Sequence, residues 1–139
     1  MSFNPYVFFS GGRCADAFRH YHEIFGGELQ VMTNAAVPEG TDPMPGALPE
    51  HVMHASIQVG EGFLMGSDDP TGDDGPKVGV AVTFTAPDEQ EGKRVFEALA
   101  EGGEMFMPFE PTFFSKGFGS CVDRFGVNWM VDTAGEPDA

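Results

Sequence analysis

The sequence predicts an α+β fold in which two βαβββ modules form a curved mixed sheet around a cavity. The main observation is an internal repeat: the tripeptide Gly26-Gly27-Glu28 recurs as Gly102-Gly103-Glu104. A helical pattern precedes each glycine pair, and an apolar, strand-like run follows it. Glycine directly after the last helical turn fits a left-handed helix end. Because the same order occurs twice, the chain is interpreted as an internal repeat.

The first module is predicted to contain one helix and four strands. The helix has aromatic residues and His22 at three- and four-residue spacings, which is typical of an apolar stripe. His22 is therefore expected to be partly packed and His20 to be solvated. The third strand alternates polar His54, Ser56 and Gln58 with an apolar set on the other face. In chain order the predicted elements are a strand over Pro5–Phe9, the helix over Cys14–Phe25, and strands over Leu29–Met32, His51–Val59 and Phe63–Ser67.

The second module repeats this order. Acidic residues at the start of its helix suit the positive end of the helix dipole. The predicted elements are a strand over Val78–Thr85, the helix over Asp88–Ala100, and strands over Met105–Met107, Ser120–Asp123 and Val127–Asp132. We expect a single domain over residues 1–139, with module one at about 1–70 and module two at about 76–135.

Two stretches fit neither helix nor strand. Thr33–Glu50 contains four prolines, and loops of more than about 12–15 residues are usually functional lids or disordered segments. Pro108–Gly119 contains four phenylalanines, including Phe113 and Phe114. These rings either fill a hydrophobic seam, line a ligand pocket or form a dimer contact.

The composition excludes several classes of partner. The formal net charge is -15, with seven Lys and Arg residues against 22 acidic ones. Nucleic acids and anionic membranes are therefore not expected as partners, because both bind through Lys and Arg. No apolar run reaches the ~20 residues of a membrane span, and no signal segment is recognised, so we expect a cytoplasmic protein. Cys14 and Cys121 are interpreted as ordinary thiols.

Motifs along nearly the whole chain resemble one known family. In the first half they are Pro5-Tyr6-Val7-Phe8-Phe9, Ala17-Phe18-Arg19-His20-Tyr21, Phe25-Gly26-Gly27-Glu28, His54-Ala55 and Leu64-Met65-Gly66-Ser67-Asp68. In the second half they are Phe96 to Gly103, Met107-Pro108 and Asp123 to Met130. Together they resemble the PhnB-like branch of the vicinal oxygen chelate (glyoxalase/bleomycin resistance/dioxygenase) superfamily. One departure is Phe113-Phe114-Ser115, where that branch usually has an aromatic-Trp pair.

The resemblance implies a homodimer and a divalent metal held by ligands from the first and last strands of each module. Registers shifted by two residues would supply Thr83, Asn128, Asp132 or Ser67, but not a convergent set. The repeat itself puts the ligand positions near Tyr6 and Ala81 on the first strands and at Met65 and Met130 on the last strands. Such side chains do not suit a hard divalent ion, which prefers imidazole and carboxylate groups. We therefore predict no metal and no cofactor. Relatives often carry a methyltransferase name, but the chain lacks a strand followed by a glycine-rich loop and a helix for an adenosyl cofactor.

His54 is the candidate catalytic residue. With Ser56 it would point into the cavity, where it could act as an acid or base, or bind a ligand. The alternative is a histidine that only bonds a neighbouring carbonyl group. Ser67-Asp68 is expected either at the cavity mouth or in a strand-end turn. Asp68, Asp69, Asp73 and Asp74 lack the spacing of a calcium loop, which favours a solvated acidic loop.

The function predicted from the sequence is binding of a small, largely apolar ligand in the cavity between the modules, or metal-free chemistry on such a molecule. The alternative is a metal-dependent enzyme of the glyoxalase or dioxygenase type. The predicted ligand-binding residues share an apolar or hydroxyl-bearing character, apart from His54, and are Tyr6, Phe8, His54, Ser56, Met65, Ser67, Phe114 and Met130.

Overall fold

Each half of the chain folds as a strand, a helix and three further strands. The computed structural model describes residues 1–36, 40, 46–72, 75 and 77–136. In the first half the elements are β1 (Tyr6–Phe9), α1 (Cys14–Phe25), β2 (Glu28–Thr33), a short 3-10 helix (Asn34–Ala36), β3 (Val52–Val59) and β4 (Gly62–Asp68). In the second half they are β5 (Val82–Ala86), α2 (Glu89–Ala100), β6 (Glu104–Glu110), β7 (Phe118–Val122) and β8 (Asn128–Thr133). The predicted α+β order of two βαβββ modules is confirmed.

The chain divides into two units, Met1–Asp74 and Gly75–Ala139, each with its own four-stranded sheet. In unit 1 the strand order is β1-β4-β3-β2, and in unit 2 it is β5-β8-β7-β6. The first and last strands of each unit pair in parallel, and the other neighbours are antiparallel. The sheets are therefore mixed, as predicted. The single domain with modules at about 1–70 and 76–135 stays a prediction.

The repeated glycine pair has a steric cause. A Cβ atom on Gly27 would lie 2.1 Å from the carbonyl oxygen of Gln58, and one on Gly103 would lie 2.0 Å from that of Val122. In each unit the segment between the helix and the next strand therefore passes very close to the backbone of the neighbouring strand, β3 in unit 1 and β7 in unit 2. Gly26 and Gly102, which precede these two residues, have φ angles of 69° and 77°, and residues other than glycine rarely adopt such angles. The repeat in the sequence thus marks the same helix-to-strand connection in both units.

One helix covers one face of each sheet and forms the core there. Helix α1 packs on β2, β3 and β4 and buries Cys14, Ala17, Phe18, Tyr21 and Ile24. Helix α2 packs on all four strands of unit 2 and buries Gly92, Val95, Phe96 and Leu99. The Asp88 carboxylate accepts a hydrogen bond from the Glu91 amide, which caps the start of α2.

The boundaries of two strands differ from the prediction. Strand β5 begins at Val82 rather than Val78, because Gly79 has a φ of 82° and the Lys77 amide bonds to the Gly126 carbonyl, so this segment follows the β7–β8 turn. Strand β6 extends to Glu110 and includes part of the stretch predicted to be irregular. Its pairing with β7 is broken by two irregularities, which explains the weak sequence pattern.

The two histidines of α1 exchange their predicted roles. His20 was expected to be solvated and His22 partly packed, but His22 is exposed and His20 is half-buried. The buried stripe instead runs through Ala17, Tyr21 and Ile24, and this moves His22 toward solvent. Residues 37–39 and 41–45 of the proline-rich stretch Thr33–Glu50 lie outside the described residues, as do Asp73 and Asp74. Among the described residues, no helix is long and apolar enough to cross a membrane.

Candidate functional site

The face of each sheet opposite its helix, called the open face below, carries the candidate site residues. In unit 1, strand alternation separates the two faces clearly. Ala55 and Ile57 are buried beneath α1, and a Cβ atom on Gly66 would lie 2.8 Å from the Phe18 ring of that helix. The neighbours of these residues along the strands therefore point to the open face. Six of the predicted ligand-binding residues lie there: Tyr6, Phe8, His54, Ser56, Met65 and Ser67.

The register sets these residues in rows across the open face of unit 1. Tyr6 is paired with Met65, which is paired with Ser56, which in turn is paired with Gln30. Phe8 is paired with Ser67 in the next row. The prediction that His54, Ser56 and Gln58 share a face opposite Ala55 and Ile57 is confirmed by the burial pattern.

His54 contacts Tyr6. The Tyr6 Oη atom and the His54 Nδ1 atom lie 3.2 Å apart, and the two ring centroids are 5.6 Å apart. The Phe8 ring is 5.1 Å from the Tyr6 ring. A side-chain hydrogen bond to one ring nitrogen orients the imidazole and leaves Nε2 for another partner. The contact is with a tyrosine hydroxyl, so the alternative of a histidine bonded only to a carbonyl group does not describe it.

Asp68 has a structural role that neither sequence interpretation foresaw. It lies on the helix side of the sheet, where one carboxylate oxygen accepts a hydrogen bond from the Cys14 amide at 2.9 Å. The other oxygen accepts one from the Val52 amide at 2.8 Å. Asp68 thus joins the end of β4 to the starts of α1 and β3 and is not at a cavity mouth. Since both oxygens are used in this way, the carboxylate is also poorly placed for a calcium loop.

Unit 2 has a pocket of about 380 Å³ on its open face. Its floor is formed by the central strands β7 and β8, and one wall is formed by the residues that precede β5. Most of the lining is apolar, and two polar side chains, Ser120 and Asn128, interrupt it. The lining residues are Gly79, Val80, Ala81, Phe106, Met107, Phe118, Ser120, Cys121, Asn128, Trp129 and Met130.

A β-bulge supplies one wall of this pocket. Met105 is paired with Cys121 and Met107 with Ser120, so Phe106 is an extra residue opposite consecutive residues of β7. A bulge changes the direction of a side chain, and here it brings Phe106 to the pocket. Sequence reasoning missed Phe106 because a one-residue insertion in a short apolar strand leaves no signal in the alternation. Ser120 and Asn128 could have been found from the polar-apolar alternation of β7 and β8.

The two predicted site residues of unit 2 are placed differently with respect to the pocket. Met130 lines it directly. Phe114 is half-exposed and reaches it indirectly, since its ring stacks edge-on against Phe118 with 5.1 Å between centroids. Phe113 is 92% exposed, and Phe109 packs against Phe96 of α2. The phenylalanines of this stretch are thus divided between core, pocket and surface.

The register corrects the sequence-based map of the metal positions. In unit 1 the paired positions on the first and last strands are Tyr6 and Met65. In unit 2 the residue paired with Met130 is Thr83, as in the register shifted by two residues, and not Ala81. A phenol, a threonine hydroxyl and two thioethers do not form the donor set that a hard divalent ion requires. The described residues also contain no group of three His, Cys, Asp or Glu side chains suited to a metal.

Both cysteines are buried thiols with raised pKa values. Burial, reinforced by the nearby charge of Asp123, raises the pKa of Cys121 to about 11. Burial and the Asp68 carboxylate raise the pKa of Cys14 well above its usual range. The thiolate is the reactive form, so neither cysteine suits nucleophilic chemistry at neutral pH. This agrees with their interpretation as ordinary thiols.

Comparisons with known proteins agree with this architecture. The family model described as 3-demethylubiquinone-9 3-methyltransferase matches residues 1–132. Protein PA1353 from Pseudomonas aeruginosa is 39% identical, with a TM-score of 0.81, over 96% of this chain and 97% of that protein. A Bacillus cereus PhnB protein, titled a putative 3-demethylubiquinone-9 3-methyltransferase, is 24% identical, with a TM-score of 0.73, over 96% of this chain and 100% of that one.

A glyoxylase/bleomycin resistance protein/dioxygenase domain from Frankia sp. EAN1pec shares the fold at 14% identity. Its TM-score is 0.62, and the match covers 97% of this chain and 99% of that domain. The family model covers most of the chain, and both units have the expected topology. The chain therefore belongs to the family whose model is described as 3-demethylubiquinone-9 3-methyltransferase, and it shares the fold of the PhnB protein and of the glyoxylase/bleomycin resistance protein/dioxygenase domain.

Proposed function

We propose that this protein binds a small, largely apolar ligand on the open faces of its sheets, and that the pocket of unit 2 is the main binding site. The observation that carries the proposal is the pocket itself. At about 380 Å³ it falls within the range of small-molecule sites. Its apolar lining with two separate polar groups, Ser120 and Asn128, is also typical of such sites.

The open face of unit 1, taken by itself, is a second ligand-binding surface in this proposal. Tyr6 and Phe8 are 39% and 53% exposed, so two adjoining rings present a large apolar surface beside His54. The hydrogen bond between Tyr6 and His54 orients the imidazole, and His54 would then donate to or accept from a polar group of the ligand. The same residue stays the candidate acid or base if a reaction occurs. A cavity between the modules stays a prediction.

The proposal does not include the activity in the description of the family model. Transfer of a methyl group from an adenosyl cofactor needs a site for that cofactor. Among the described residues the two strand-to-helix connections, residues 10–13 and 87–88, do not carry the G-x-G-x-x-G pattern of a nucleotide-binding loop. A metal-dependent enzyme would need other donors at Tyr6, Met65, Thr83 and Met130. Binding of a ligand, with or without metal-free chemistry, is the function that these residues support.

The experiment is a titration of the ¹⁵N-labelled protein with benzyl methyl ether, a neutral apolar probe, followed by NMR. We expect shifts concentrated at pocket residues such as Ala81, Phe106 and Met130. Ser120→Phe places a ring in the pocket and should weaken binding at least tenfold. Gln90→Phe adds the same ring at an exposed position of α2 and should change the affinity less than twofold. Shifts confined to other surfaces, or equal affinities for both variants, would exclude the pocket.

We further propose a cytoplasmic homodimer, as the sequence and the family resemblance predict. Sedimentation equilibrium at micromolar concentrations tests the oligomeric state. A single species at the monomer mass of 14.9 kDa would contradict it.

A further inference from the structure

The open face of unit 2 carries an aspartate with a buried carboxylate oxygen that has no hydrogen-bond partner among the described residues. Asp132 lies on β8, paired with Phe118 on one side and with Thr85 on the other. Its Oδ1 atom is buried and has no hydrogen-bond partner among the residues that the structure describes. Neither of the two ion pairs found among those residues involves Asp132.

A buried carboxylate oxygen without a partner is unfavourable. An unsatisfied buried polar group costs about 1–3 kcal/mol, and a charged one costs more. The other buried aspartates of the chain avoid this cost. Both oxygens of Asp68 accept backbone hydrogen bonds, and both oxygens of Asp123 accept hydrogen bonds from unit 2 donors. Asp132 is different because one oxygen has no partner and the residue lies on the same face of the sheet as the pocket residues Met130 and Phe118.

Asp132 is within reach of a molecule in the pocket. Phe118, its cross-strand partner, and Met130, two residues earlier on the same strand face, both line the pocket. Two residues along a strand advance by about 6.6 Å, roughly the length of a substituted benzene ring. A ligand with its apolar body over Met130 and Phe118 would therefore bring a terminal polar group to Asp132.

We propose that Asp132 binds the protonated amine of a small ligand whose apolar body occupies the pocket. This inference rests on the proposed function and adds the class of ligand. Three features favour a cation over a neutral donor: the carboxylate, the adjoining Phe114 and Phe118 rings, and the net charge of -15. Aromatic faces attract ammonium groups, and an acidic protein raises the local concentration of cations. In unit 1 the equivalent position is the neutral Ser67, so the acidic group belongs to unit 2.

The test compares benzylamine with benzyl methyl ether by NMR titration at pH 7 and low salt. The two probes share an aromatic body and differ in the ammonium group. We expect benzylamine to bind at least tenfold more tightly, with its largest shifts at residues 118 and 130–133. Asp132→Asn and Asp132→Ser should each remove this preference. Glu97→Gln removes one exposed negative charge from α2 and is the matched control for the change in net charge. This variant should still bind benzylamine more tightly than benzyl methyl ether.

A thermal melt separates binding from a structural role. If the free oxygen serves a ligand, Asp132→Asn should melt at the same temperature as the parent protein or higher, because the substitution removes an unpaired charge. A large fall in the melting temperature would overturn the inference. Equal affinities for the two probes, or a preference that survives in both Asp132 variants, would also overturn it and leave the proposed function standing. Failure of both probes to bind would overturn the proposed function itself.

Discussion

The two units share a backbone plan and differ where the pocket lies. In unit 1, β2 pairs with β3 residue by residue from Glu28 to Met32, whereas in unit 2 the pairing of β6 with β7 is interrupted by Phe106. The central row is otherwise equivalent: Ser56 is paired with Met65, and Ser120 with Met130. The comparison shows that both units have the same central register, and that one inserted residue in unit 2 provides a wall of the pocket.

The units also use different polar groups at equivalent places. Asp68 and Thr133 occupy the same position at the end of the last strand, paired with Phe9 and Ala86 respectively. Asp68 accepts hydrogen bonds from two amides, whereas the Thr133 hydroxyl donates to the Gly117 carbonyl at 3.2 Å. The same connection is therefore held by a buried charge in one unit and by a neutral hydroxyl in the other.

The largest expected effect concerns the β-hairpin of unit 2. The β3–β4 turn of unit 1 has two residues, Gly60 and Glu61, whereas the β7–β8 turn extends from Asp123 to Val127. Asp123 is 2% exposed and accepts hydrogen bonds from the Phe125 and Val127 amides and from the Trp129 indole. Asp123→Ala leaves these donors unpaired and should lower the free energy of unfolding by about 4 kcal/mol. Urea denaturation followed by Trp129 fluorescence measures this loss.

The control for Asp123→Ala is Asp88→Ala, which removes an exposed helix cap of the same unit and should cost about 1 kcal/mol. Similar losses for the two variants would show that the longer turn does not depend on the buried carboxylate.

The next prediction compares the C-terminal ends of β4 and β8, the last strands of the two units. Asp68→Ala removes the acceptor of two buried amides and should cost about 3 kcal/mol. Thr133→Val keeps the shape and removes one hydroxyl, and Ser115 still donates to the Gly117 carbonyl. This variant should cost about 1 kcal/mol. Chemical denaturation followed by circular dichroism tests both variants. The inverse order would contradict the assignment of the stronger connection to unit 1.

The sequence was sufficient for the features that repeat, but not for those that differ between the units. The glycine pairs, the span Cys14–Phe25 of α1 and the faces of β3 follow from local periodicity and sterics. The start of β5 and the bulge at Phe106 depend on hydrogen bonds with distant strands, which periodicity does not contain. The error at Ala81 has the same origin, because the pairing of Thr83 with Met130 is set by the hydrogen bonds between β5 and β8.

The roles of the aspartates were also beyond the sequence pattern. Asp68 and Asp132 each follow an apolar strand run, and nothing local distinguishes them. The difference lies in the face of the sheet that each residue occupies. Asp68 lies on the helix side, where it meets backbone amides, and Asp132 lies on the open face. The face that a strand residue occupies is determined by the pairing register, because a slip of one residue would move every side chain of the strand to the other face.

The smallest expected effect compares the two buried thiols. The pKa of Cys121 is raised to about 11 from an ordinary value of 9.0, mainly by burial and then by Asp123. Between these values the unfolded chain loses the proton and the folded chain keeps it. The free energy of unfolding must therefore fall as the pH rises from about 9 toward 11. Cys121→Ala should flatten this decline in urea denaturation at pH 8, 9 and 10, and Cys14→Ala should do the same for unit 1. An unchanged slope in either variant would mean that the thiol ionises normally in the folded protein, and hence that water reaches that part of the core.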